Sequence, residues 1–301
     1  MKQAVIVYNI AYETNPEWVE QVEAFVKAFR KVGIDLLPVL NIDAYDFIKR
    51  YKSYIKFILF WDKDLYLGEQ LQQFGLPIFN PINSIRVCDD KGLTQLKLQA
   101  HQIETPKTLI LPFSFGHNIL NFFDRVKILL AENGFKYPFV LKQRFGSFGE
   151  QVYLITNEMM FKKILQIVGE KELLVQEFIE ASAGRDYRVY VVGRKAVATV
   201  MRVNKGNFRS NVHQGGKMAS VPRPNKNITN VAIKAAHACG CDFAGVDILI
   251  DERGKPLAIE VNSNARSVVA EEASRVYITY FIAKYLKKIS KDRAEDLSLL
   301  K

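Results

Sequence analysis

The sequence predicts an α/β protein of two or three lobes, in which a parallel α/β lobe comes first. Two patterns support this fold class. Strands and helices alternate over the first 80 residues, as in a parallel sheet covered by helices. Later, short apolar runs flank glycine-containing turns, as in β-hairpins. The length of 301 residues exceeds what one small core accommodates, so several lobes are expected.

The first lobe is expected to end near residue 80. Apolar residues at helical spacing and short buried runs alternate up to this point. Strands are predicted at 4–8, 34–40, 55–61 and 76–79, and helices at 17–32, 44–51 and 64–74. Parallel sheets bind ligands at the carboxyl ends of their strands, so the loop after Asn9 is a candidate substrate contact.

The next hundred residues contain a lysine and a glycine-rich loop. Lys142 lies in the apolar run 137–142, and a loop with Gly146, Ser147 and Gly149 follows. Such a loop lets backbone N–H groups approach phosphate oxygens, but by itself it is a weak signal, since glycine hairpins are common and most of them bind nothing. Around it we predict a loop from residue 80, helices at 92–101, 118–133 and 157–168, and strands at 105–110, 151–155 and 172–179.

The last third combines strands, a polar loop and helices. Strands are predicted near 187–192 and 195–203, a polar loop at 208–216, and helices at 226–240 and 269–288. The segment after Ser290 mixes charges of both signs and is expected to be a solvated, fraying end.

A hairpin near the C-terminus contains polar side chains inside apolar strands. Runs 243–250 and 257–261 flank the turn 251–254, so Asp247 is expected to lie close to Glu260 on the opposite strand. Asn262 lies two residues after Glu260 and therefore on the same face. Buried carboxylates need a compensating cation, and hard oxygen ligands suit Mg²⁺ or Mn²⁺. The alternative is a hairpin whose polar side chains face solvent.

Composition limits the environment of the protein. Hydrophobic residues make up 49% and charged residues 25%, as in ordinary globular proteins. No apolar run approaches the roughly 18–20 residues that span a bilayer, and the first residues lack a signal-peptide pattern. Three cysteines indicate a reducing compartment, so we expect a cytoplasmic protein without membrane contact. The pair Cys239 and Cys241 is expected to be structural.

The net charge of +10 has two explanations that the sequence does not separate. Lys and Arg are dispersed, so one explanation is a basic solvated surface. The other is a cleft that concentrates nucleotides and acidic substrates. Because no basic tract or aromatic ribonucleoprotein motif is present, a nucleic-acid partner is not expected.

Several blocks together resemble the ATP-grasp superfamily, in particular the branch of ribosomal protein S6 glutamate ligases. They are Phe-Val-Leu-Lys142 with its glycine loop, Val-Gln-Glu177-Phe-Ile, Gly-Arg-Asp186-Tyr-Arg, Phe-Arg209-Ser-Asn211, and Gly-Val-Asp247 with Glu260-Val-Asn262. The resemblance covers about residues 80–265. It implies two α+β lobes clasping ATP, with lobes at 1–80, 81–179 and 180–290 and a charged tail at 291–301.

The resemblance also implies roles for individual residues. Lys142 and Arg209 would be catalytic, and Asp247, Glu260 and Asn262 would hold two Mg²⁺ or Mn²⁺ ions. His213 is a tentative substrate contact, although a loop hydrogen-bonding role is the more common one for a single histidine. The implied ATP contacts are Lys91, Lys142, Gly146, Ser147, Gly149, Glu177, Phe178, Asp186, Arg209, Ser210 and Asn211.

The implied reaction joins a carboxylate to an amine with ATP, through an acyl phosphate. Glutamate or another amino acid would be added to a peptide, a protein tail or a small molecule. A dipeptide-forming ligase, an ATP-grasp kinase and a catalytically silent nucleotide-binding module stay open as alternatives. We also expect a homo-oligomer.

One segment departs from the family pattern. After Asn262 the glutamate ligases continue with a Ser-Pro-Gly-like turn, whereas this chain has Ser263-Asn264-Ala265-Arg266-Ser267. This segment borders the acceptor site in the family. Arg266 is therefore a hypothetical clamp for a substrate carboxylate.

Overall fold

The computed structural model describes residues 3–115, 119–146, 149–210 and 215–299. Its first sheet, the N-terminal sheet, is entirely parallel with strand order β2-β1-β3-β4. The predicted strand–helix alternation of the first lobe is confirmed. Its elements are β1 (Gln3–Tyr8), α1 (Pro16–Lys31), β2 (Leu36–Leu40), α2 (Asn41–Tyr51), β3 (Ile55–Trp61), α3 (Leu65–Gln72) and β4 (Ile78–Phe79).

The second sheet, the central sheet, is antiparallel with order β5-β8-β6-β7. Two helices precede it, α4 (Ile82–Asp89) and α5 (Lys91–Ala100). The predicted loop before residue 92 was wrong, because α4 buries Ile82 and Ile85 along one face. The remaining elements are β5 (Thr108–Ile110), α6 (Ile119–Glu132), β6 (Phe139–Gln143), β7 (Val152–Ile155), α7 (Glu158–Val168) and β8 (Leu173–Glu177).

The third sheet, the C-terminal sheet, is antiparallel with order β11-β10-β9-β12-β13. Strand β11 was not predicted, because it is short and formed by pairing with β10 at the sheet edge. The elements are β9 (Arg185–Val192), β10 (Lys195–Val203), β11 (Lys217–Ser220), α8 (Lys226–Ala238), β12 (Phe243–Ile250), β13 (Pro256–Asn262), α9 (Val268–Ser274) and α10 (Ile278–Leu299).

Two predictions about the C-terminal helices were wrong. The single helix expected at 269–288 is interrupted at Arg275, which has a left-handed φ of 58°. The fraying end expected after Ser290 instead continues α10 through Leu299. Arg293 holds this part of the helix, since its guanidinium donates to Asp242 at 2.8 and 2.9 Å.

The N-terminal and C-terminal sheets share one hydrophobic core. Ile6 and Trp61 of the first lobe pack in the same cluster as Phe243 and as Ile282 of α10. The rings of Trp61 and Phe243 stack with centroids 6.2 Å apart. The buried amide of Asn80 joins the same parts, because its Nδ2 donates to the carbonyls of Phe243 and Ser263 at 2.9 and 2.8 Å. The first lobe is thus fixed to the start and end of the hairpin.

The central sheet has a core of its own, which includes Leu141, Phe161 and Val175. Helix α5 packs elsewhere, since Leu98 belongs to the cluster under the C-terminal sheet. Helix α4 lies between two cores, because Val87 joins the same cluster and Ile82 joins a cluster of the first lobe. The lobe boundaries at residues 80, 179 and 290 stay predictions. In the described part of the chain, no helix combines the length and apolar character required to cross a bilayer.

Candidate active site

A cleft between the central and C-terminal sheets contains most of the predicted site residues. It encloses about 1020 Å³, part of it open to solvent. The predicted residues that line it are Lys91, Lys142, Gly146, Gly149, Glu177, Phe178, Asp186, Arg209, Ser210, Asp247 and Glu260. Ser147, Asn211 and His213 lie outside the described residues.

The hairpin brings its two carboxylates together as predicted. Strands β12 and β13 are antiparallel, and Asp247 is the register partner of Glu260. Asp247 is buried, and two arginines bind its carboxylate. Arg188 donates through Nε and Nη2 at 2.7 Å each, and Arg202 Nη2 lies 2.8 Å away. Burial alone would raise the pKa of Asp247, but the two guanidinium groups hold it below its usual value.

Glu260 and Asn262 have oxygen atoms available for a cation. Within the described residues, the one ion pair of Glu260 is with Lys91, at 4.0 Å. Asn262 donates from Nδ2 to the Gly245 carbonyl at 3.3 Å, which leaves its Oδ1 without a partner among the described residues. Asp247 still has lone pairs on its carboxylate oxygens. This donor set fits a hard divalent ion, although no group of three His, Cys, Asp or Glu side chains forms in the described segments.

Lys142 is a half-buried cation from the central sheet that lines the cleft. It comes from β6, directly after three buried apolar residues of this strand. Its Nζ donates to Oε1 of Gln176 at 2.6 Å. Burial lowers the pKa of Lys142 to about 8, partly offset by Glu260 and Asp247, while Lys91 acts in the same direction as burial. The protonation state of a lysine with such a pKa depends on the charge of a bound ligand.

Lys91 enters the same region from the first residue of α5. Asp90 caps this helix, since its Oδ1 accepts from Gly92 N at 2.8 Å. The Nζ of Lys91 donates to the Gly146 carbonyl at 2.6 Å. This contact fixes the glycine loop against the helix terminus. A helix N-terminus and a lysine together favour an anion at this end of the cleft.

Arg209 provides a third cation. Its guanidinium donates to the Val152 carbonyl and lies 4.7 Å from the ring centroid of Phe208. Burial lowers the pKa of Arg209 from its ordinary value. Its Nε is buried and has no hydrogen-bond partner in the described part of the chain. A buried donor of this kind is costly, and an anionic ligand would satisfy it.

The cleft also has an apolar lining. Five aliphatic side chains contribute to it, namely Val140, Leu174, Ile179, Leu249 and Ile259. Phe178 also lines the cleft and lies edge-on to Phe208 with ring centroids 6.4 Å apart. Glu177 N donates to the Lys107 carbonyl at 2.8 Å. An apolar slot beside an exposed strand end is suited to a flat heterocyclic base.

Arg266 and Asn262 are not among the residues that line the cleft. The guanidinium of Arg266 contacts α1 instead, where Nη1 pairs with Glu17 and the group lies 5.5 Å from the ring centroid of Trp18. Its carbonyl accepts from the Tyr190 hydroxyl at 2.6 Å. The structure thus places Arg266 where the first lobe meets the end of β13.

Several residues in or behind the cleft were missed in the sequence. Gln176 and Arg202 line the cleft, and Arg188 binds the cleft residue Asp247. Asp186 is the register partner of Arg202, whose Nε donates to it at 2.7 Å. The two-residue spacing of Asp186 and Arg188 was a usable signal, because it puts both side chains on one face of β9.

Comparison with known proteins identifies the family. A sequence model described as the RimK-like ATP-grasp domain matches residues 88–286. The chain belongs to the RimK-like ATP-grasp family. A relative named probable alpha-L-glutamate ligase, from Syntrophotalea carbinolica, is 37% identical over 234 residues and covers 75% of each chain. The uncharacterized protein MG012 of Mycoplasma genitalium is 29% identical, over 88% of this chain and 93% of its own.

Solved structures of other ATP-grasp proteins confirm the predicted fold class. D-alanine–D-alanine ligase from Bacillus anthracis, solved in complex with ATP, superposes with a TM-score of 0.72 at 16% identity and covers 98% of this chain and 100% of its own. The ATP-grasp ligase PsnB, solved with a precursor variant, Mg and ADP, gives 0.64 at 12% identity over 99% of both chains. The parallel lobe followed by two antiparallel sheets is therefore an ATP-grasp fold.

Proposed function

We propose that this ATP-grasp protein is an ATP-dependent carboxylate–amine ligase that adds an amino acid, glutamate being the expected one, to a peptide, a protein tail or a small molecule. A substrate carboxylate oxygen would attack the γ-phosphorus and ADP would leave. The amine nitrogen of the acceptor would then attack the carbonyl carbon, lose a proton and release phosphate.

The observation that carries this proposal is the opposition of charges across the cleft. Lys142, Lys91 and Arg209 line the same cleft as Asp247 and Glu260, and Lys91 Nζ lies 4.0 Å from Glu260 Oε1. A triphosphate is the ligand that these groups suit, because lysines bind its oxygens directly and the carboxylates bind it through a cation.

Asp247, Glu260 and Asn262 would hold the divalent ions, and Mg²⁺ or Mn²⁺ suits their oxygen atoms. A bound ion neutralises negative charge on the phosphates during transfer. Lys142 and Arg209 would stabilise the charge that develops on the transferred group, and their burial strengthens this effect. No side-chain nucleophile is needed for either step.

Support for glutamate comes from the relatives. The proteins named probable alpha-L-glutamate ligase are 33–38% identical where they match this chain. Arg266 is the proposed contact for an acidic substrate. Arg266 belongs to the segment 263–267 that departs from the family pattern.

The test is phosphate release from ATP and Mg²⁺ with amino acids singly and in pairs, followed by mass spectrometry of the products. The control is the double variant Asp247→Asn, Glu260→Gln, which removes both hairpin carboxylates. We expect phosphate release that requires an added amine, and a new amide mass absent from the control. Phosphate transfer to a substrate without an amine would instead indicate a kinase. ATP binding without turnover in any mixture, including peptides ending in glutamate, would contradict the ligase.

A further inference from the structure

Gln176 lines the cleft but has no role in the proposed reaction. It comes from β8 and is 3% exposed. Its Oε1 accepts the hydrogen bond from Lys142 Nζ at 2.6 Å. Lys142 comes from β6, the neighbour of β8 in the central sheet. A buried neutral amide is therefore the direct partner of the cleft cation.

The orientation of this amide is determined by its two neighbours. Its Nε2 donates to the Thr108 hydroxyl oxygen at 2.9 Å. If the amide were reversed, two donors, Nε2 and the ammonium, would face each other at 2.6 Å. The lysine therefore dictates which amide atom faces it, and Thr108 holds the other one.

The hydrogen bonds continue from Thr108 to the hairpin. The Thr108 hydroxyl lies 2.8 Å from the Pro106 carbonyl and 3.4 Å from Oε1 of Gln95. Gln95, in α5, donates from Nε2 to the carbonyl of Ile259 at 3.3 Å. Ile259 directly precedes Glu260. A chain of hydrogen-bonded polar side chains thus connects Lys142 with the strand that bears the proposed metal ligand.

We infer that Gln176 is a positioning residue that orients the ammonium of Lys142 toward the cleft. Through Thr108 and Gln95 it also holds the central sheet at a fixed position relative to the hairpin carboxylates. This inference rests on the proposed function, in which Lys142 contacts the phosphates of ATP. The chemical choice of an amide has a reason. A carboxylate here would pair with the ammonium and compete with the phosphates, whereas an amide oxygen orients the ammonium without neutralising it.

The test measures ATP affinity, with Mg²⁺ present, by calorimetry from pH 6.5 to 9.5. Gln176→Leu removes the acceptor at nearly constant size, and Gln176→Glu introduces a carboxylate at constant shape. Lys142→Met shows which part of the pH dependence belongs to the lysine. Thr94→Val is the matched control, because Thr94 is also buried but does not line the cleft. Its hydroxyl donates to the Val87 carbonyl at a distance of 2.7 Å.

In the wild type, ATP affinity should fall above about pH 8, where Lys142 loses its proton, and Lys142→Met should lack this inflection. Gln176→Leu should bind ATP about tenfold more weakly at pH 7, the usual cost of losing a hydrogen bond to a charged group. Gln176→Glu should move the inflection to higher pH by about one pH unit or more. Thr94→Val should retain the wild-type affinity and inflection.

Affinities of both Gln176 variants within twofold of the wild type, with an unchanged inflection, would overturn the inference. If Gln176→Leu does not fold, the isosteric Glu variant decides alone. Failure of the ligase proposal is distinguishable, because an enzyme that binds ATP but forms no amide still reports on Gln176. If ATP does not bind at all, the ionisation of Lys142 can be measured from its rate of acetylation by acetic anhydride at different pH values, with mass spectrometry as the readout. An unchanged pH profile in Gln176→Glu would again overturn the inference.

Discussion

At the scale of single residues, Arg266 has an unusual set of neighbours. It stacks on Trp18, which itself stacks on Tyr12 with centroids 4.2 Å apart and ring planes 7° from parallel. Its ionic partner Glu17 is 57% exposed, whereas the Arg266 side chain is 14% exposed. An ion pair with an exposed carboxylate contributes little free energy. A substrate carboxylate could therefore replace Glu17 on this guanidinium.

This exchange predicts opposite effects for two substitutions. Glu17→Gln should lower the Michaelis constant for an acidic substrate, because it removes the internal competitor. Arg266→Ala should raise that constant about tenfold, the cost of a charged hydrogen bond. Glu20→Gln, an exposed carboxylate on the same helix, is the control and should change nothing. Steady-state kinetics of the purified variants measures these Michaelis constants. Equal Michaelis constants in the wild type and all three variants would exclude Arg266 as a contact for the substrate carboxylate.

At the scale of secondary-structure elements, strands β9, β10 and β12 hold four charges in one buried network. Arg202 binds both Asp186 and Asp247, and Arg188 binds Asp247 from the other side. Burial would lower the pKa of Arg202, but the two carboxylates raise it well above its usual value. The network fixes the carboxylate of Asp247 before any ligand binds, so the hairpin presents a preorganised oxygen.

Removal of one member should therefore destabilise the whole protein. Arg202→Met leaves Asp186 buried without its cation, and the free energy of unfolding in urea at pH 7 should fall by about 3–5 kcal/mol. Arg194→Met, at the exposed turn between β9 and β10, should stay within about 0.5 kcal/mol of the wild type. A loss below about 1 kcal/mol for Arg202→Met would show that water or neighbouring groups compensate the freed charge.

At the scale of the whole molecule, helix α10 joins the two ends of the chain. It packs against α1 of the first lobe, and Lys287 donates to the Val32 carbonyl at 2.7 Å. Arg293 lies 4.5 Å from the ring centroid of Phe79 at the end of β4 and pairs with Asp242 just before β12. The helix thus contributes to the relative position of the first lobe and the hairpin.

Arg293→Ala should lower the free energy of unfolding by about 2 kcal/mol, because Asp242 is 6% exposed and would lose its charged partner. Lys288→Ala, an exposed residue of the same helix, is the matched control and should have little effect. Thermal unfolding followed by circular dichroism measures both. Equal midpoints would mean that the apolar contacts of α10 alone hold the helix in place.

The sequence alone predicted the features that depend on neighbours along the chain. The alternation of the first lobe and the segments of most strands follow from local periodicity. The proximity of Asp247 and Glu260 was predictable because a hairpin pairs residues across a short turn. Their direct pairing was not, because the register shifts by one residue between Asp247 and Ile248, which puts Glu260 rather than Ile259 opposite Asp247. Helix α4 and strand β11 were not predicted, because packing against distant segments stabilises them more than local conformational preference does.

Only the tertiary structure decided which distant side chains meet. Lys142 contacts Gln176, 34 residues further along the chain, because β6 lies between β7 and β8 in the central sheet. Arg188 reaches Asp247 because β9 pairs with β12, although 59 residues separate them. Arg266 binds Glu17, and α10 covers α1, for the same reason. Strand order and helix docking minimise the exposed apolar area of the whole chain, a quantity that local periodicity does not contain.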